Sequence, residues 1–388
     1  MRIGIDCRMY SSRFTGIGRY TYELVRHLAD LDKKNDYILF FNRPEFEEFT
    51  PPGKNFQKVL VNARHYSFAE QTRFLRHIKK AKLDLMHFTH FNAPIFYKKP
   101  SIVTIHDLTL SFFPGNKMRS PIHRAGYHLT LRSATKNAKK IIAVSQYTKK
   151  DLEKLLQINP EKIKVIYEAV NDDFEKMEDQ KKIAETLQRY KITKQYLLYT
   201  GVWRNHKNLV NLVKAFTRLR NHYNIDIDLV ITGKEDPKYP EVREQIAESG
   251  VTEFIRTTGL VDEDDLVALY SGARGYVLPS LYEGFGLSPL EAMKCEIPVA
   301  VSKASCLPEI CGEENALYFD PYDPNDIAEK LATLCTNEET REKLIKNGTT
   351  HAKKFSWRKM ARETLKLYQE LNPKSESLIS ETISNIRI

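Results

Sequence analysis

Two carboxylates eight residues apart, Glu283 and Glu291, stand in Pro279-Ser280-Leu281-Tyr282-Glu283-Gly284-Phe285-Gly286-Leu287-Ser288-Pro289-Leu290-Glu291-Ala292-Met293. Carboxylates accept paired hydrogen bonds from vicinal hydroxyls, and free N–H groups at a helix start can hold phosphate oxygens. An acid beside Gly-Phe-Gly therefore suits a polyol, and two acids can grip two different sugars. Glu291 also has a purely structural reading. With Ser288 as N-cap and Pro289 at the first helical position, it completes a capping box. Glu283 has no such explanation.

Cations answer these acids. In Gly201-Val202-Trp203-Arg204-Asn205-His206-Lys207-Asn208-Leu209, Arg204 and Lys207 sit just before a helix, where a diphosphate would be stabilised. Otherwise they are solvated surface cations. Thr15-Gly16-Ile17-Gly18-Arg19-Tyr20 puts two glycines before another helix, but the third glycine of a dinucleotide fingerprint is Thr21. An ordinary turn explains it equally well. His106-Asp107 ends a strand, and His106 reads either as a charge-stabilising group or as a hydrogen-bonded structural histidine.

These residues need elements to hold them. Expected strands are Arg2–Asp6, Tyr37–Phe41, Lys58–Val61, Leu85–Thr89, Ile102–His106, Ile141–Val144 and Ile163–Tyr167. A second series runs Tyr196–Thr200, Leu229–Thr232, Phe254–Thr257, Tyr276–Pro279, Val299–Ser302 and Leu317–Phe319. Near-continuous apolar strands alternating with helical patterns, as over Gly18 to Leu31, indicate buried parallel sheets. Two series predict two doubly wound α/β domains, with a boundary near residue 170 in the polar stretch 171–194. Ligands of such sheets bind beyond the carboxyl ends of the strands, so the site is expected in a cleft between the domains. Phe355–Leu371 reads as a helix and the Ser-rich tail after Pro373 as loosely held.

The 388 residues carry a net charge of +10, and its distribution is uneven. Residues 51–150 hold 19 basic and 3 acidic side chains, whereas 171–388 hold 30 and 35. Clusters such as Arg73, Arg76, Lys79, Lys80, Lys82 and Lys136, Lys139, Lys140 point to an anionic lipid or lipid-linked partner, or to a simple solvated face. Charge inside Met1–Asp6 argues against a secretory signal, and no apolar run has the length of a membrane span. Five cysteines without a C-x-x-C pair suggest reduced thiols in a cytoplasm. Nucleic-acid binding is the reading from a different class that the basic stretch invites, but recognisable motifs for it are missing. A nicotinamide-dependent oxidoreductase is disfavoured by the incomplete glycine fingerprint.

The sequence resembles the family 4 glycosyltransferases, retaining enzymes of GT-B architecture. The resemblance rests on Glu283 and Glu291 in Glu-Gly-Phe-Gly-Leu-Ser-Pro-Leu-Glu-Ala-Met, on Gly201 with Lys207-Asn208-Leu209, on Gly259-Leu260-Val261, and on Leu307-Pro308-Glu309 near Gly312. Ile5-Asp6, Thr15 to Tyr20, Ile105-His106-Asp107-Leu108 and Ala143-Val144-Ser145 resemble its mannosyltransferase branch. It covers roughly 1–370. Cys295-Glu296-Ile297-Pro298 departs from the small residue common before the following strand, and Arg204 lies farther from its glycine than is usual.

The resemblance implies roles. Glu283 contacts the transferred sugar and supports charge at its anomeric centre. The N–H groups of Gly284, Phe285, Gly286 and Leu287 hold donor oxygens, and Glu291 binds the ribose diol. Arg204 and Lys207 neutralise the leaving diphosphate without a metal ion or other cofactor. Val261 contacts the base through its backbone, His106 approaches the donor sugar, and Gly16 and Gly18 leave room for diphosphate and acceptor. It implies an acceptor-binding domain over 1–170, on which a C-terminal helix (about 358–388) packs back, and a donor-binding domain over 171–357. The expected reaction moves a hexose, mannose from GDP-mannose first and a sugar from UDP-glucose second, onto a glycan or lipid-linked acceptor in cell-surface polysaccharide or glycolipid assembly. The enzyme is expected in the cytoplasm or peripherally on the inner membrane face.

Overall fold

The computed structural model describes residues 1–11, 16–115, 118 and 120–372. Thr15 and the tail after Pro373 lie outside the described residues. Two compact units divide the chain. Unit 1 takes the described residues within Met1–Leu108, Lys117–Glu168 and Ser356–Ile388, and unit 2 those within Thr109–Asn116 and Ala169–Phe355.

Unit 1 is built on β1 (Arg2–Asp6), β2 (Asp36–Phe41), β3 (Phe56–Leu60), β4 (Leu85–Phe88), β5 (Ser101–Ile105), β6 (Lys140–Ala143) and β7 (Ile163–Val165). They form one parallel sheet in the order β3-β2-β1-β4-β5-β6-β7. Its helices are α1 (Ile17–Leu31), α2 (Glu45–Glu48), α3 (Leu75–Lys80), α5 (Pro121–Asn137), α6 (Gln146–Leu156) and α15 (Trp357–Glu370), with α4 (Thr109–Phe112) assigned to unit 2. The strand order reverses direction between β1 and β4, which makes that junction the switch point of the sheet.

α15 packs on α1 because both carry an apolar stripe at helical spacing: Tyr20, Leu24 and Leu28 on one, Trp357, Met360, Ala361 and Tyr368 on the other. A polar chain crosses this core. Tyr368 Oη lies 2.6 Å from His87 Nδ1, and Thr104 Oγ1 lies 2.8 Å from His87 Nε2 and 3.1 Å from Tyr20 Oη. Burial holds His87 neutral, with its pKa pushed down to about 3.

Unit 2 holds β8 (Tyr196–Thr200), β9 (Asp228–Thr232), β10 (Ile255–Gly259), β11 (Gly275–Leu278), β12 (Val299–Ser302) and β13 (Leu317–Phe319). These are parallel in the order β10-β9-β8-β11-β12-β13, so its switch point falls between β8 and β11. Around them lie α7 (Gln180–Arg189), α8 (Leu209–Asn221), α9 (Glu241–Glu248), α10 (Glu263–Ser271), α11 (Leu287–Lys294), α12 (Leu307–Cys311), α13 (Pro324–Thr336) and α14 (Glu338–Ala352). Each strand expected from the sequence is present within about two residues of its ends. Among the described residues no helix is long and apolar enough to cross a membrane.

Candidate active site

The switch point of unit 2 brings the sequence-predicted cation and acid together. After β8 the chain makes a 3-10 turn, Asn205–Lys207, and Asn208 then takes a left-handed conformation (φ 59°) to start α8. Two bonds tie this loop to the one after β11 and a third to the one after β13. Leu281 N–H donates to His206 C=O at 2.7 Å, and Asn208 Nδ2 donates to Pro279 C=O at 3.0 Å and Pro321 C=O at 2.6 Å. Lys207 is thereby set facing Glu283, and its Nζ donates to Oε1 at 2.6 Å. The side chains keep 19% and 14% of their surface exposed, so a ligand can reach both. Burial would raise the Glu283 carboxyl, but the Lys207 and His206 charges and the Lys207 hydrogen bond bring it below its ordinary value. It stays ionised at neutral pH.

The backbone around Glu283 is clamped from the loop after β12. Glu283 N–H donates to Ser305 Oγ at 3.0 Å, and the Cys306 thiol donates to the carbonyls of Glu283 and Phe285, both at 3.2 Å. The chain then enters α11, and here the structure corrects the capping-box expectation. The N-cap is Gly286 at φ 88°, not Ser288, and no side chain caps the helix. Pro289 therefore sits third in the helix, where a missing N–H still costs nothing. A Cβ on Gly286 would lie 2.8 Å from Leu307 Cδ2, so the turn needs glycine for conformation and for space. The N–H groups of this first turn thus lack a side-chain cap, as suits an oxygen-rich ligand.

Glu291 does different work from a capping residue. Buried on α11, it accepts from Tyr270 Oη at 2.9 Å, and Tyr270 Oη lies 2.9 Å from Thr200 Oγ1 at the end of β8. Arg204 is exposed beside the 3-10 turn, and its carbonyl accepts from Lys207 N–H. Val261 is half-buried after β10. Gly233, which sequence reasoning passed over, sits between Gly201 and Gly259. A Cβ there would lie 2.2 Å from Gly201 C=O, and Gly233 N–H donates to Gly259 C=O at 2.7 Å. The signal for it was a glycine directly after a strand.

In unit 1, His106 is buried with both ring nitrogens engaged. Nδ1 lies 2.6 Å from Glu168 Oε1 and Nε2 lies 2.8 Å from Thr89 C=O. Burial opposes its charge, but the Glu168 hydrogen bond and carboxylate outweigh this and raise its pKa. Gly16 adopts φ 78° in open space, whereas a Cβ on Gly18 would lie 2.9 Å from Met9 C=O. The switch point of this sheet is closed by Arg8, which bonds Asp6 at 2.8 Å, Glu70 at 3.1 Å and Asn92 C=O at 2.9 Å, over the Phe74 ring.

Known proteins share this architecture. Sucrose-phosphate synthase from Thermosynechococcus elongatus superposes with a TM-score of 0.76 at 19% identity, covering 95% of this chain and 98% of its own. Anabaena HepE, solved with UDP and glucose, gives 0.75 at 16% identity, over 95% and 100%. Two parallel Rossmann-like sheets in tandem with these neighbours define the GT-B fold, as the resemblance implied.

Residues 14–174 match the family described as Glycosyltransferase Family 4, and 179–351 match Glycosyl transferases group 1. The chain belongs to the family 4 glycosyltransferases. O-antigen chain mannosyltransferase B of Escherichia coli is 29% identical over 374 residues, 92% of this chain and 96% of its own length. O-antigen chain mannosyltransferase RfbU of Salmonella typhimurium is 29% identical over 259 residues, 66% of each.

Proposed function

We propose that this glycosyltransferase moves mannose from GDP-mannose, with retention of configuration, onto a glycan or lipid-linked acceptor in cell-surface polysaccharide assembly. The observation that carries the reading is the Lys207–Glu283 pair at the switch point of unit 2. The O-antigen mannosyltransferase relatives support the sugar.

Cleaving an anomeric bond to a nucleoside diphosphate builds negative charge on phosphate and positive charge on the ring. Lys207, with Arg204 alongside, meets the first, so the reaction needs no metal ion. Glu283 accepts from hydroxyls of the donor sugar and supports the second. The pair holds each charge in place until the donor divides it, which spares reorganisation during reaction. The N–H groups of Gly284 to Leu287 take donor oxygens, Glu291 the ribose diol, and Val261 the base. His106 approaches the donor sugar in a held orientation, because both ring nitrogens are engaged, and its raised pKa favours the charged form. Gly16 and Gly18 leave room for diphosphate and acceptor. The reaction belongs to the cytoplasm or the inner face of its membrane. A UDP-sugar is the second reading, raised by HepE in complex with UDP-glucose.

The test is nucleotide release across common sugar nucleotides. GDP-mannose should be turned over fastest, with Glu283→Ala and Lys207→Ala each removing most of it. Faster release from UDP-glucose would select the second reading, and full activity in both variants would overturn the site.

A further inference from the structure

Acids gather in unit 1 where its excess of cations does not. Residues 51–150 hold 19 basic and 3 acidic side chains, but the connection after β2 carries Glu45, Glu47 and Glu48 on α2. Arg43 holds Glu47 at 2.7 Å. The carboxylates of Glu45 and Glu48 make no ion pair among the described residues, and both border a groove of about 490 Å³. A groove of that size takes a small ligand or part of a larger one.

The groove is built on aromatic rings. Tyr10 follows β1, and its ring meets Tyr22 on α1 at 5.5 Å, Phe49 at 5.5 Å and Phe41, the last residue of β2, at 5.2 Å. Phe41 and Phe49 lie 4.7 Å apart beneath them. Phe49 is buried, whereas Tyr10 and Tyr22 are half-buried and line the groove with part of their surface open. Arg26 stands one turn beyond Tyr22, its side chain half exposed and its Nε 3.2 Å from Glu23 Oε2, so the guanidinium is held on the wall. The groove also continues from the glycine turn that opens α1. Ser11, another wall residue, donates its N–H to Gly18 C=O at 3.3 Å, and a Cβ on Gly18 would lie 2.9 Å from Ser11 Cβ. Every lining residue follows β1 or β2 in the chain, on the outer side of the switch point in the order β3-β2-β1-β4.

Aromatic surface suits the apolar faces of sugar rings, and carboxylates with a guanidinium suit the hydroxyls around their rims. Two acids without partners would repel a phosphate or an anionic sugar. We propose that this groove is a second sugar site, which binds neutral glycan residues of the acceptor away from the hydroxyl that reacts. Tyr10 and Tyr22 lie against sugar rings, Glu45 and Glu48 accept from hydroxyls, and Arg26 donates to sugar oxygens. A cationic peptide fits less well, because Arg26 lines the same groove. Contacts far from the reacting bond add binding energy, so a longer acceptor is held better than a short one. This role rests on unit 1 being the acceptor-binding part of the enzyme.

The test is titration calorimetry of the full chain, without donor, with mannose and with the neutral tetrasaccharides mannotetraose and maltotetraose. At least one tetrasaccharide should bind more tightly than mannose. Tyr22→Ala should weaken that binding on the order of tenfold, the usual loss when a tyrosine anchor goes. Glu45→Gln with Glu48→Gln should weaken it roughly threefold or more, because charge-assisted hydrogen bonds become neutral ones. The glutamine pair should leave the thermal midpoint and donor-only nucleotide release unchanged. Binding of neither tetrasaccharide, full binding by either variant, or tighter binding of tetragalacturonate or tetralysine would overturn the groove. Nucleotide release from GDP-mannose reports the donor reading separately: its absence with tetrasaccharide binding intact would sink that reading alone.

Discussion

The two sheets have the same kind of switch point and use it differently. In unit 1 the junction of β1 and β4 is filled by Arg8, whose side chain is 0% exposed and held by Asp6, Glu70 and Asn92. In unit 2 the junction of β8 and β11 carries Lys207 and Glu283, each partly open to solvent. A fully buried, multiply bonded charge group fixes backbone, because removing one partner strands the others. A half-open pair can exchange partners for a ligand. The same topology thus supplies a structural lock in one unit and a solvent-accessible ion pair in the other.

The largest effects should fall on that contrast. Lys207→Ala is expected to lower turnover by about 10²–10³-fold, the usual loss when one transition-state charge partner goes, with little change in thermal midpoint. Arg8→Met should do the reverse, destabilising unit 1 by about 3–5 kcal/mol through the stranded carboxylates. Comparable loss of stability in both variants, read by calorimetry, would erase the distinction.

Gly286→Ala comes next, because it meets both an unfavourable φ and the Leu307 side chain. Donor affinity should fall at least tenfold, measured by nucleotide titration. Cys306→Ala should act more gently, raising the donor KM several-fold with a small change in kcat, since it loosens Glu283 without touching ligand. An unchanged KM would remove the thiol from the positioning role.

The smallest effect is on pH. Burial lowers the His65 pKa to about 4 and the His87 pKa to about 3. Their neutral forms stabilise unit 1 fully above the unfolded value, about 6.5, and this is lost as pH falls toward those values. His106 has the opposite sign: its raised pKa gives stability present below about 6.5 and lost as pH rises through the folded value. In unit 2, lowered Glu283 loses its contribution only below about 4.5, and His351 is lowered but half-buried. Trp357 and Trp203 report the two units separately. Between pH 6.5 and 4, Trp203→Phe fluorescence, from unit 1, should show the earlier loss of midpoint; coincident profiles would contradict this.

Strand ends were legible because buried parallel strands are apolar throughout, and loops following them had to carry the chemistry. That logic singled out Lys207 and Glu283, which the fold brings to 2.6 Å of each other. It missed Arg8, because a charged residue reads as surface unless its partners, here Glu70 at 62 residues' remove, are known. It misjudged the start of α11, because a serine with a glutamate three residues on mimics a cap that Gly286 supplies by conformation alone. Ser305 and Cys306 escaped because a side-chain bond to a distant carbonyl leaves no spacing pattern.

The place of α15 has a consequence for how the protein is made. Unit 1 takes its last helix from beyond residue 355, and Tyr368 meets His87 across 281 positions of chain. On a ribosome, the sheet of unit 1 and its first helices emerge first but lack α15 until all of unit 2 has been synthesised. Unit 2 is the first to have all its parts, while α1 waits with its apolar stripe uncovered. The earlier-born unit is thus the later to mature, and a nascent chain released short of Trp357 would carry a finished unit 2 and an unfinished unit 1.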